Sequence, residues 1–287
     1  MRRREALVCL AALPILLSCS GKESAVSDKT ALMVSIEPQR YVLEQLVDST
    51  YSVRSLVSHG TNPETFEPST SERIAVDASP VYFATGVLPF EEKLKSSTSA
   101  IFVETSDGVD LLFDTHGHNH SEEGHDHDAD PHYWSSISGV RTMSANMAKA
   151  LCESFPEDSI LFRSRLEKYD SHLDSLEKAL TSKLAGREGV SFAVWHPSLS
   201  YVARDFGLNQ ISLGLEGKDM SAKGLREAIE NAKARNLKVF FFQKEYDSRQ
   251  AQTINDALGS VFYEINPLDY NWESQLTGLI DEIARAQ

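Results

Sequence analysis

Apolar residues along this chain alternate between short unbroken runs and longer stretches in which they recur every three or four positions. Ala31 to Ile36 is a run of strand length. Pro38 to Val47 follows with Tyr41, Val42, Leu43, Leu46 and Val47 in the helical period. Tyr51 to Val57 reads as a second strand. Val81 to Thr85 and Ala100 to Val103 read as two more, with a helix over Phe90 to Lys95 between them. Strand and helix alternating at this spacing predict parallel βαβ units.

Further along, Phe162, Leu166, Tyr169, Leu173, Leu176, Leu180 and Leu184 draw one apolar stripe along a charged rod, bounded by Pro156 and Gly186. After that long helix the alternation resumes. Strands are expected over Ser191 to Trp195, Gln210 to Leu213, Lys238 to Phe242 and Val261 to Ile265. Helices are expected over Pro197 to Phe206, Ser221 to Arg235, Asp247 to Leu258 and Trp272 to Ala286. The predicted architecture is α/β: an N-terminal αβ lobe over 30–155, a linking helix over 156–187 and a C-terminal αβ lobe over 188–287. Each lobe is expected to carry a parallel sheet, with a cleft between them.

Two segments break the pattern. Arg2, Arg3 and Arg4 precede twelve apolar residues, Ala6 to Leu17, too short to span a bilayer but suited to a signal peptide. That stretch runs into Leu16-Leu17-Ser18-Cys19, the spacing of a bacterial lipobox. Residues 1–19 are therefore expected to be a lipoprotein signal, with Cys19 as the lipidation point and 20–29 as a polar tether. The second break is Asp114 to Asp130, with five His, six acidic residues and no Lys or Arg. Nothing in it can bury a core, so a mobile surface loop is expected.

Composition then narrows the function. Without Arg2 to Arg4 and Glu5, 25 basic residues face 41 acidic ones, a net charge of −16. That balance argues against nucleic acid or anionic lipid as partner and favours cations. With Cys9 in the signal and Cys19 lipidated, Cys152 stands alone, so no internal disulfide is expected in an exported, envelope-located monomer.

Candidate chemistry gathers at three strand ends, where open α/β sheets place ligands. The first is the loop Gly60 to Pro68, the second Asp130-Pro131-His132-Tyr133-Trp134, and the third His196-Pro197. A lone His at such a place is commonly structural. Two of them, each beside Pro and accompanied by a separate His-rich tract, point to metal. Imidazole nitrogen with carboxylate oxygen suits zinc, and also manganese or iron.

These motifs resemble the cluster A-I substrate-binding lipoproteins of zinc and manganese ABC transporters, from about Leu32 to Ile283. Leu56-Val57 with Gly60 and Pro63 to Pro68 looks like that family's first ligand loop, and Asp130 to Trp134 like its second. Trp195-His196-Pro197 with Tyr201, Asp205, Phe206, Gly207 and Leu208 looks like its third. Leu215-Glu216-Gly217-Lys218 and Asn266-Pro267-Leu268 resemble stretches of its second lobe. The resemblance implies two αβ lobes bridged by one rigid helix, Zn2+ as cargo (Mn2+ or Fe2+ as alternatives) and an ABC transporter permease as partner.

It also implies a ligand set. The family's first loop usually carries His after Asp-Pro, whereas this chain has Asn62-Pro63-Glu64, which makes Glu64 an oxygen ligand beside His132 and His196. The competing reading of Glu64 is a carboxylate at a helix N-terminus, and His59 is a weaker ligand candidate. A fourth ligand in relatives is often a late carboxylate. Asp269 matches best, with Glu245 weaker. The tract of His116, His118, His120, His125 and His127 sits where zinc-specific members carry theirs, and implies loose auxiliary zinc binding. The rival from another class, a zinc hydrolase, lacks a His-Glu-x-x-His helix. A metal buffer or surface adhesin without a transporter stays open.

Overall fold

In the computed structural model, residues 29–58, 60–113, 129–214, 221–235, 237–243 and 248–286 are described. The first half builds β1 (Thr30–Val34), α1 (Glu37–Leu46), β2 (Tyr51–Ser55), α2 (Thr70–Asp77), β3 (Val81–Ala84), α3 (Pro89–Lys95) and β4 (Ile101–Glu104). Its strands are parallel, in the order β2-β1-β3-β4. Strands covered on both faces read as continuous apolar runs, and Val81, Tyr82, Phe83 and Ala84 are all buried. Pro38 and Pro89 lie in the first turns of α1 and α3, where a missing N–H leaves no helical bond unmade.

The second half repeats the plan with β5 (Ser191–Val194), α6 (Ser200–Phe206), β6 (Asn209–Ser212), α7 (Ala222–Ala234), β7 (Val239–Gln243), α8 (Ser248–Leu258), β8 (Val261–Ile265) and α9 (Trp272–Arg285). The extra helices α4 (Ile137–Ser154) and α5 (Ser159–Lys183) lie between the halves. The second sheet is parallel with order β6-β5-β7-β8, the same winding as the first. Each sheet therefore changes direction once, between β1 and β3 and between β5 and β7. The crevice at the carboxyl ends of such a pair is where open α/β sheets bind ligands.

Helix α5 is the predicted rod: all seven stripe positions are buried or half-buried. It packs on α1 and α4 from one side of the molecule and on α9 from the other. One contiguous apolar core runs from β1 through α5 to β5, α6 and α9, and a smaller one lies between β7, α7 and α8.

Two helices escape the apolar periodicity. Helix α4 buries Ile137, Val140, Met143, Met147 and Leu151, but shares that face with Gly139, Ser144, Ala148 and Ala150, which blurs the contrast. Helix α2 buries only Val76. Its signal is local instead: Ser69 and Glu72 form a capping box, with the Ser69 N–H donating to Glu72 Oε2 at 2.7 Å. A third difference concerns α6. A helix is expected directly from Pro197, yet 195–199 form a bend and α6 opens at Ser200. The Leu199 N–H donates to Gln210 Oε1 at 2.8 Å, which holds that stretch off the helix.

The His-rich segment ends earlier than its composition suggests. Phe113 and Ala129 form an antiparallel bridge, and the Asp130 N–H donates to the Leu112 carbonyl at 2.7 Å. The Tyr201 hydroxyl from the second half closes this base, donating to the Asp130 carbonyl at 2.7 Å and accepting the Leu112 N–H at 3.1 Å. Cys19, the signal and tether, and His116, His118, His120, His125 and His127 lie outside the described residues, as do His59 and Glu245.

Candidate metal centre

Glu64 hangs from the loop after β2. No helix starts there, α2 beginning only at Thr70, so the helix-terminus reading of this carboxylate does not hold. An Asx turn sets its direction, with Asn62 Oδ1 accepting the Glu64 N–H at 2.9 Å. Phe66, two residues on, packs edge-on against Phe90 of α3 at 5.0 Å.

His132 opens a short 3-10 turn, His132–Ser135, that is clamped from several sides. The Tyr133 hydroxyl donates to the Thr85 carbonyl at 2.9 Å and shares a hydrogen bond with Thr105 Oγ1 at 2.8 Å, beyond β3 and β4. The indole N–H of Trp134 donates across the cleft to the Pro267 carbonyl at 3.0 Å. Gly139 lies against the same turn so closely that a Cβ would overlap the Tyr133 carbonyl oxygen. Asp130 Oδ1 accepts two N–H groups from His132, the backbone one and ring Nδ1, each at 2.9 Å. An acceptor at Nδ1 fixes the proton there and turns the Nε2 lone pair to the cleft, a common supporting arrangement for a metal-binding His.

His196 arrives from the second half, two residues past β5. The His132 and His196 rings are 5.2 Å apart, centroid to centroid. Glu64 Oε1 lies 3.2 Å from His196 Nε2 and 3.6 Å from His132 Nε2, and one ligand atom from each of the three falls within 4.8 Å of the others. Two donors on a tetrahedral zinc are about 3.4 Å apart, given bonds of about 2.0–2.2 Å. The two Glu64 separations match that edge. The imidazoles are nearly buried, His132 5% and His196 6% exposed, whereas the Glu64 side chain is 28% exposed at the cleft mouth.

Burial works against the charge on Glu64, but the His196 hydrogen bond and the charges of both rings outweigh it and hold its carboxyl below the usual range. At Asp130 burial is likewise overcome by the His132 ring hydrogen bond, the ring charge and the His132 backbone N–H, and its carboxyl also lies low. Both are carboxylates at neutral pH, poised to face a cation.

Asp269, expected as the fourth ligand, does not join this group. Its Oδ1 accepts the Asn271 N–H at 2.8 Å in the turn before α9. The cleft wall runs instead through Asn266, Pro267 and Leu268, together with Gln243 at the end of β7. Sequence reading assigned no role to Asp130 or Gln243. For Asp130 a signal exists, an acceptor two residues before a candidate His. For Gln243 the only trace is a polar residue closing the apolar run Val239-Phe240-Phe241-Phe242.

Two αβ lobes bring an N,N,O donor set together at one cleft, a group of side chains that could hold a metal ion. Residues 32–286 match the family described as ZnuA, zinc-uptake complex component A, periplasmic, and the chain belongs to that family. A crystal structure of ZnuA superimposes with a TM-score of 0.82 at 30% identity, covering 90% of this chain and 99% of that one. A ZnuA deletion mutant with zinc bound gives 0.79 at 29% identity, covering 90% and 98%. The zinc-binding lipoprotein AdcA of Streptococcus pneumoniae is 28% identical over 274 residues, 92% of this chain and 54% of AdcA. The chain thus spans about half the length of the AdcA proteins it matches. Among the described residues no helix is long and apolar enough to cross a membrane.

Proposed function

We propose that this chain captures Zn2+ outside the cytoplasm through Glu64, His132 and His196 and hands it to an ABC transporter permease for import. The observation that carries the reading is the convergence of these three side chains, from separate loops of both lobes, at spacings an ion of zinc's size would bridge. Two imidazoles favour zinc over the harder manganese. Among the described residues, the rest of the cleft lining, Asn62, Pro63, Gln243, Asn266, Pro267 and Leu268, carries no titratable side chain to serve as a general base, which favours capture over hydrolysis. Lipidation at Cys19 would hold the domain at the membrane that carries the permease, and the His116 to His127 tract would gather zinc loosely near the site.

Titration of the purified domain with Zn2+, Mn2+ and Fe2+, alongside elemental analysis, tests the reading. One tight zinc per chain is expected. His132→Ala and His196→Ala should each lose more than about 100-fold in affinity, beyond the 10–100-fold typical of supporting residues. Wild-type affinity in both variants would remove the assignment. Zinc uptake at limiting metal should fall in cells lacking the chain, and unaltered uptake would argue for a buffer instead of an import component.

A further inference from the structure

Three protein donors leave one position of a tetrahedral zinc open, and Gln243 lines the same cleft. Strand β7 ends on this residue, and β7 pairs with β5 in parallel, Val194 opposite Phe241. Two residues further along each chain come His196 and Gln243, so the same register brings both to the crevice where the second sheet changes direction. Both line the cleft with Glu64 and His132.

The Gln243 side chain is only 5% exposed. Its Nε2 donates to Ser198 Oγ at 2.9 Å, in the bend after His196, while its Oε1 is buried with no hydrogen-bond partner among the described residues. A buried amide oxygen without a donor is uncommon, because its lost solvation goes uncompensated. Cation binding would relieve it. The opposite amide orientation would turn N–H donors toward a cation, which is electrostatically unfavourable, whereas the Ser198 hydroxyl already satisfies the nitrogen side.

Resting on the zinc-capture reading above, we propose that Gln243 Oε1 is the fourth donor on the captured ion. It is a neutral oxygen that closes the shell from the second lobe without adding charge. The site then holds one anionic ligand, Glu64, and keeps a net positive charge when loaded. Asp269 remains a turn-capping residue.

The test combines a chelator-competition titration of the full chain with the zinc-loaded crystal structure. Gln243→Leu, close in volume, should weaken zinc binding about 10–100-fold. Gln243→Glu, whose carboxylate keeps an oxygen at the site and can accept the Ser198 hydroxyl, should bind at least as tightly as wild type. In the loaded wild type, Oε1 should lie about 2.0–2.2 Å from the ion. Leu binding within twofold of wild type would overturn the proposal. So would equal weakening in Leu and Glu, or a water standing between Oε1 and the ion. If the Leu variant fails to fold, the Glu variant and the loaded structure decide. A wild-type chain that binds no zinc sinks the capture reading itself, whereas a zinc-binding wild type with an indifferent Gln243 sinks only this assignment.

Discussion

Asp130 accepts two hydrogen bonds from a single residue, and that makes Asp130→Asn an informative perturbation of the centre. The substitution keeps one side-chain oxygen in nearly the same volume, and because Oδ1 alone accepts both His132 N–H groups, both can still be held. It removes the negative charge and introduces an NH2 group. The backbone roles of residue 130 survive: its N–H to the Leu112 carbonyl and its carbonyl to the Tyr201 hydroxyl do not involve the side chain. What changes is the pull on Nδ1–H, which makes Nε2 a better donor, and the field across the ring. An ion beyond Nε2 lies roughly 7 Å from the Asp130 charge. With Glu64 reducing the ion to a net single charge and an effective dielectric of about 20, that charge is worth about 2 kcal/mol. The figure sits within the 10–100-fold loss typical when a residue supporting a metal-binding His is replaced, about 1.4–2.8 kcal/mol. Competition against a chelator at neutral pH and fixed ionic strength measures it, since the low-lying Asp130 carboxyl is fully charged there. An affinity within twofold of wild type would refute the reasoning, and with it the idea that Asp130 prepares His132 as a ligand.

Other expectations follow from the same geometry. Zinc affinity should fall as the solution is acidified from roughly pH 7.5 to 5.5, because the ligand form of His is neutral and protons compete with the metal for the imidazole nitrogen. Glu64 does not add to that fall: its carboxyl is lowered, so its anionic form persists until the pH drops through the depressed value. A flat profile would exclude His ligation. Glu91→Ala should destabilise the fold by about 3–5 kcal/mol in urea titration, since it strands buried donors from Thr85, Gly86 and Leu88 as well as the Ser35 hydroxyl. A loss below about 1 kcal/mol would show those donors finding other partners. Deleting His116 to His127 should abolish weak zinc sites and leave the tight one, because a segment that must order itself to bind gives up conformational entropy the cleft does not. Loss of the tight site would mean that the tract supplies primary ligands.

Much of this molecule follows from local pattern. Apolar runs at Ala31, Val81, Ser191 and Lys238 become parallel strands because burial on both faces demands that composition, the run at Val261 becomes a half-exposed edge strand, and the seven-residue stripe of α5 becomes the rod spanning both halves. His132 and His196 were legible too, each beside Pro, though only His196 follows a strand and His132 opens a 3-10 turn instead. Helix α4 was not, because Gly139, held close to the Tyr133 carbonyl, and the buried Ser144 dilute the periodic signal on its inner face. Glu64 was expected from the first loop, and the structure brings it beside both imidazoles; that Gln243 lines the same cleft came into view only in three dimensions. The family resemblance favoured Asp269, just after Asn266-Pro267-Leu268, yet in the turn before α9 its Oδ1 accepts the Asn271 N–H. Gln243 reaches the cleft for a reason no local window contains: β5 has β6 on one side and β7 on the other, and the sheet changes direction on the β7 side. Strand order is a contest among pairings distant in sequence, settled by how whole faces bury against α5 and the flanking helices. Each residue's own neighbours along the chain carry little trace of that outcome.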